Sequence, residues 1–316
     1  MHASSLARTR SLGFFIVAAL LVAPLLVACD KKGEGASATA SATPSASAAP
    51  SAEPPKETGT KLTKKSPAAG AKRTQDESST TNIKISLGGK SMAMHEEESK
   101  KAEEEILEAS GDTVTKLKVT FVDDKKSSSE GGKPAKERKS PLAGKTYTVS
   151  AKDGKLTVLN DKDKPAPKAE ADLVAKQYHD LGKPDEIMAA IPTRALKEGD
   201  DVPELAGAFE KKMASEAKDP KNPKEKVAFE GAKFTFKGKE GDSAAFDVVV
   251  TMKADVGFLG KMTVPLKGKM LIRVADAWPA SMTLAGPIGF ELTEKDKKAG
   301  TEASGDLKLQ LGWSYK

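Results

Sequence analysis

Residues 261–274 read KMTVPLKGKMLIRV. The even positions carry Met262, Val264, Leu266, Gly268, Met270, Ile272 and Val274, while Lys261, Thr263, Lys267, Lys269 and Arg273 take odd ones. A period of two held over 14 residues marks a strand with one dry and one wet face, because side chains alternate across a pleated sheet. Pro265 has no N–H to give to a ladder, which predicts a bulge or an edge there. Upstream, Ala244, Phe246, Val248, Val250 and Met252 repeat the pattern after Phe234 and Phe236, with a hairpin expected at Lys239-Glu240-Gly241-Asp242. Downstream, Met282, Leu284, Ile288, Phe290 and Leu292 alternate around a Gly286-Pro287 break, and Leu307, Leu309, Leu311, Trp313 and Tyr315 close the chain. The reading is an antiparallel meander with one apolar face.

Nearer the N-terminus, Tyr147 and Val149 face Leu156 and Val158 across Lys152-Asp153-Gly154, and Leu117, Val119 and Phe121 alternate as well. The stretch Glu96 to Ala109 favours helix by its Glu and Lys content. Yet Met92 and Met94 alternate into it, and Ser110-Gly111-Asp112 turns it into the next strand, so a long polar strand is expected. Lys125 to Ser140 reads as a long loop, with three serines and Gly131-Gly132. Between the two β blocks lie helices. Leu173, Val174, Tyr178 and Leu181 form a stripe ended by Gly182 and Pro184. A short helix follows through Ile187, Met188 and Ile191, and Pro203 opens another whose buried face is Leu205, Phe209 and Met213, with Asp200-Asp201 as expected caps. The expected fold class is α+β: a curved, half-barrel-like antiparallel sheet with a few helices packed on one face, after a disordered linker.

The chain has 316 residues, of which 38% are hydrophobic, 30% charged and 5% aromatic, a thin apolar share for one globule of that length. The net charge is +6, and Arg8 and Arg10 are the only charges before Cys29, so the remainder carries +4. That balance is too mild and too evenly mixed to argue for nucleic acid. The single Cys excludes a disulfide framework and any multi-Cys metal site.

Residues 1–28 have the order of a secretory signal: Arg8 and Arg10, then an apolar run from Leu12 broken by Gly13 and Pro24, ending at small residues. The run falls short of the about 20 apolar residues that span a bilayer. Leu26-Val27-Ala28-Cys29 resembles a bacterial lipoprotein lipobox. The resemblance implies acylation of the Cys29 thiol, cleavage before it, and acylation of the new amino group. Chains of that number give stable anchoring, where one alone binds marginally. Asp30 resembles the inner-membrane retention signal of enteric bacteria; that rule does not hold in other lineages, so both membranes stay open. Residues 29–75 are expected as the lipidated Cys and a disordered linker, since 36–52 contain only Ala, Ser, Thr and Pro. The 46 residues from 30 to 75 would reach about 35–40 Å as a flexible coil. Residues 76–316 are expected as one domain, in a bacterial cell envelope and facing the periplasm.

Few residues offer chemistry. Gly89-Lys90-Ser91 and Gly144-Lys145-Thr146 end like a P-loop, but Lys84 and Lys139 stand where its first glycine is required. His95-Glu96 starts like a zincin helix, but position 99 is Ser. His179 and Asp180 are adjacent and, on a helix, would not face each other. The runs Glu96-Glu97-Glu98 and Glu103-Glu104-Glu105 read as a solvated face before they read as a cation site. No catalytic residue, metal or cofactor is therefore expected, and not an enzyme. Ile191-Pro192 with Leu196-Lys197-Glu198-Gly199-Asp200 resembles the helix-to-strand turn of β-rich envelope lipoproteins of unassigned function. The pattern of 80–316 more loosely resembles LolA/LolB-type half-barrels, which implies an apolar cavity for lipid between sheet and helical lid. Residues expected to line it are Phe246, Val248, Val250, Met262, Val264, Met270 and Ile272, with Leu205 and Phe209 from the lid. The competing expectation is a structural or adaptor lipoprotein that docks another envelope component and has no cavity.

Overall fold

The computed structural model describes residues 59–217, 227–256 and 260–316. Its strands and helices follow in the order β1 (Lys72–Leu87), β2 (Lys90–Ser110), β3 (Thr113–Glu130), β4 (Lys136–Lys139), β5 (Thr146–Lys152), β6 (Lys155–Asn160), α1 (Lys168–Gln177), α2 (Glu186–Ala190), α3 (Pro203–Glu216), β7 (Val227–Glu240), β8 (Ser243–Asp255), β9 (Lys261–Arg273), β10 (Pro279–Glu291), α4 (Glu294–Lys298) and β11 (Glu302–Tyr315). All 11 strands join one open antiparallel sheet in the order β6-β5-β3-β2-β1-β11-β10-β9-β8-β7, with β4 paired to β3. The expected α+β class and the meander from β7 to β11 are both present. Two meanders, β1–β6 and β7–β11, are joined where β1 pairs with the last strand, Arg73 opposite Tyr315 through Ser86 opposite Glu302. The 21-residue β2 spans about 70 Å.

Helices cover one face of this sheet over two separate cores. Val174 and Tyr178, at the end of α1, with Leu181 beyond it, close over Leu117, Val119, Phe121, Tyr147 and Val149. Helices α2 and α3 close over the inner residues of β7–β11, from Phe234 and Phe246 to Leu307 and Leu309. The half-buried Trp278 packs against both cores. Leu173, expected in the α1 stripe, points to solvent at 39% exposure.

Four further expectations are corrected. The domain begins upstream of residue 76: Thr60 exchanges two backbone hydrogen bonds of 2.8 Å with Leu196, and Leu62 is buried in the larger core. The Trp278 Nε1–H donates to the Lys65 carbonyl at 3.0 Å, and β1 starts at Lys72. The first half of β1, KRTQDESS, is polar in both phases and so shows no apolar period. Cys29, the signal and the linker up to residue 58 lie outside the described residues. Second, Lys125 to Ser140 is not a loop; β3 continues to Glu130, turns at Gly131-Gly132 and returns as β4, with Ser127 and Ser128 opposite Glu97 and Glu96 of β2 and Ser129 opposite His95. Third, Val202 caps α3 without a side-chain bond, while Asp200 accepts from Arg194 and Asp201 from Thr235. Fourth, Pro265 makes no bulge. The β9–β10 ladder lapses between Lys267 and Thr263 and resumes in the same register, which sets Pro265 opposite Pro287, two residues with no N–H to exchange.

Candidate functional site

The face beneath the helices can be followed strand by strand through the pairing register, because directly opposed residues share a face. One row runs Phe236, Phe246, Met270, Met282, Leu311, Glu77, Lys100, Asp124 from β7 to β3. The next runs Phe234, Val248, Gly268, Leu284, Leu309, Ser79, Glu98, Lys126. The face is thus aromatic and aliphatic over β7–β11 and turns ionic at β1, within the spacing of one strand. Further along, Ile83 opposes Met94 and Ile85 opposes Met92, so the β1–β2 hairpin ends in an apolar stripe beyond the charges.

Of the nine residues expected to line a ligand site, seven are on this face of the sheet and Leu205 and Phe209 are on α3, and all nine share one core. Phe246, Val248, Val250, Met262, Val264, Met270, Ile272, Leu205 and Phe209 belong to one cluster, none more than 6% exposed. Phe209 of α3 meets Phe234 edge-on with ring centroids 5.5 Å apart, so helix and sheet are in direct contact there. Ile83, Ile85, Met92 and Met94 are different: they lie on the same face, are only half-buried, and carry the apolar surface past the helices. Among the described residues, no hydrophobic side chain between Arg73 and Lys101 is fully buried.

The ionic strip was not anticipated, because the acidic runs read as a solvated face. The strand alternation instead turns Glu96, Glu98 and Glu104 inward and Glu97, Glu103 and Glu105 outward. Arg73 and Glu104, both buried, form a 2.5 Å ion pair, and the Tyr178 hydroxyl donates to the other Glu104 oxygen at 2.8 Å. Burial, the largest influence, lowers the Arg73 pKa; Glu104, by charge and hydrogen bond, together with Tyr315 and Tyr178, outweighs it and holds the guanidinium above its ordinary value. Glu77, 5% exposed, lies 3.9 Å from Lys100 and accepts from the Gln75 amide. Its burial dominates, and the carboxyl is pushed up to about 7. Lys126 sits 2.6 Å from Glu96 and 3.7 Å from Glu98. Burial also raises the Glu98 and Asp124 carboxyls, the latter against a hydrogen bond from Ser140. The sequence signal that would have exposed this strip is the 2-residue phase shared by Arg73, Gln75, Glu77, Ser79 and then Thr81, Ile83 and Ile85.

The remaining candidates stay apart from it. His95 is on the opposite face, its Nδ1 2.7 Å from Asn82 Oδ1 and its Nε2 3.3 Å from Glu97. His179 does meet Asp180, at 3.4 Å, because α1 has ended at Gln177 and the helical geometry that separates neighbours no longer applies. Among the described residues, no group of three or more His, Cys, Asp or Glu side chains is placed to hold a metal. No helix among them is long and apolar enough to cross a membrane.

No family model matches the chain, and no curated protein matches it. Among solved structures it is similar to a chain from a study of lipid–protein interactions in lipovitellin, at 9% identity and a TM-score of 0.35 over 79% of this chain and 25% of that one. It is also similar to DynF from the dynemicin biosynthesis pathway of Micromonospora chersina, at 11% identity and a TM-score of 0.23 over 85% and 92% of the two chains. A third is a DUF1329 family protein from Desulfovibrio piger, at 9% identity and a TM-score of 0.14 over 76% and 83%. The chain spans about a quarter of the lipovitellin chain. Likenesses this distant carry no argument about activity.

Proposed function

We propose that this is a lipid-anchored protein of the bacterial cell envelope whose sheet binds an apolar, lipid-like ligand non-covalently. The observation that carries the reading is the amphipathic inner face. Its apolar rows continue past the helical cover onto the half-buried Ile83, Ile85, Met92 and Met94, beside the strip of Glu77, Glu96, Glu98, Lys100 and Lys126. A face that changes from apolar to ionic across one strand suits a molecule with a chain at one end and a polar group at the other. Burying each methylene of such a chain is worth about 0.8 kcal/mol. The seven sheet residues of the expected set, with Leu205 and Phe209 of α3 above them, form the wall against which this surface is built. The protein acts as a carrier or sensor in this reading, with no catalytic residue, metal or cofactor and no nucleic-acid partner.

Met94→Trp places a bulky ring on the open stripe. It should weaken uptake of a fluorescent fatty-acyl probe, while Val249→Trp, on the opposite and exposed face, should leave it unchanged. Equal uptake by both variants would remove the ligand from this surface. Lipidation is tested separately: Cys29→Ala should leave unprocessed precursor and abolish acyl labelling. A second reading is an adaptor whose inner face is only a core. The direct Phe209–Phe234 packing favours it, and it predicts no probe uptake by any form.

A further inference from the structure

The apolar stripe does not stop inside the molecule. Ile83 and Ile85 are half-buried, and Leu87, next in the same phase of β1, is 53% exposed at the tip of the β1–β2 hairpin. Lys90 stands opposite Leu87. The β3–β4 hairpin ends at the same end of the sheet: Glu130 opposes Met94, and the Gly131 N–H donates to the Ala93 carbonyl at 2.8 Å. Every residue from Glu130 to Lys139 is exposed. That arm carries Lys133, Lys136, Arg138 and Lys139 against Glu130 and Glu137, and among the described residues none of the four cations forms an ion pair. An exposed leucine at a hairpin tip, with Lys90 opposite it and Lys133 in the adjoining turn, fits a surface that is anionic outside and apolar beneath.

We propose that this end of the sheet docks on a bilayer rich in anionic headgroups. Leu87 enters the apolar boundary, and Lys90 and Lys133, the cations of the two turns at this end, meet headgroup phosphates, while Lys136, Arg138 and Lys139 stand about 20–30 Å back along the sheet. Each such cation adds roughly 1 kcal/mol near an anionic surface, a factor of about five in binding, and loses it within a Debye length. Docking in this pose sets the open stripe of Ile83, Ile85, Met92 and Met94 against the bilayer, from which a lipid would move onto the inner face. That last part rests on the proposed ligand; the docking does not.

The test is amide hydrogen exchange on the full mature protein, anchored in nanodiscs of phosphatidylcholine alone or with phosphatidylglycerol. Exchange at 87–90 and 131–134 should slow severalfold on the anionic discs only, and the protection should vanish in high salt. Lys90→Glu/Lys133→Glu, at two exposed positions, should abolish it, and Leu87→Ser should reduce it. Equal exchange on both discs, or protection unmoved by the charge reversal, overturns the docking. Extracting and weighing bound lipid from the same samples separates the two readings. Protected tips without bound lipid keep the docking and sink the ligand; bound lipid with unprotected tips does the reverse.

Discussion

Arg73 and Glu104 show how costly an ordinary-looking pair can be to break. Both are at least 94% hidden, 2.5 Å apart, and Tyr178 completes the carboxylate's partners. Glu104→Ala would leave a buried guanidinium uncompensated, and the expected loss is about 3–5 kcal/mol, read as a lower midpoint in urea. Glu77 has the opposite sign. Its ordinary pKa of 4.5 rises to about 7 on folding, so between those values the folded state binds a proton that the unfolded state has released. Asp185 behaves alike. It caps α2 by accepting from the Ile187 and Met188 N–H groups, and burial takes it from 3.8 to about 7. Stability contributed by these groups is therefore present below about pH 4 and lost as pH rises toward 7, then flat. Each is worth on the order of 1–3 kcal/mol. Thermal unfolding of Glu77→Gln/Asp185→Asn should show a shallower fall in Tm between pH 5 and 7.5 than the parent, and a higher Tm at pH 8. An unchanged slope would place the titrating groups elsewhere.

At the scale of elements, legibility followed the apolar period. Strands β7 to β11 were readable because the apolar phase of each is mostly buried, as in β8, where Ala244, Phe246, Val248, Val250 and Met252 are all at most 1% exposed. The first four residues of β1 fall in the expected linker and the end of β3 in the expected loop, because the inner phases there hold Arg73 and Gln75, and Lys126 and Ser128. Such strands exist by pairing with β2 and β11, which a single stretch of sequence does not display. The glutamate-rich β2 was legible only through Met92 and Met94 at one end. Close pairing also explains Gly268: a Cβ there would collide with the Thr283 carbonyl oxygen of β10. Gly268→Ala should cost about 1–3 kcal/mol through strand displacement, with the loss visible in the urea midpoint. Gly89→Ala, at a turn with open space around it, is the useful contrast: its penalty comes only from a φ of +78°.

At the scale of the molecule, the nine candidate ligand residues lie in one buried core of sheet and α3. Periodicity finds what is buried, and the nine residues are buried. It cannot say where helical cover ends, and that boundary, between Leu309 and Ile83 on neighbouring strands, is what makes an inner face accessible. The account stands on a ligand at that boundary. The most direct measurement is native mass spectrometry of the mature protein released from bacterial membranes, before and after chloroform extraction. The account predicts a stoichiometric, extractable lipid-like mass that Met94→Trp diminishes. A protein that carries only its covalent acyl chains, and takes up nothing from a panel of lipids, would contradict it.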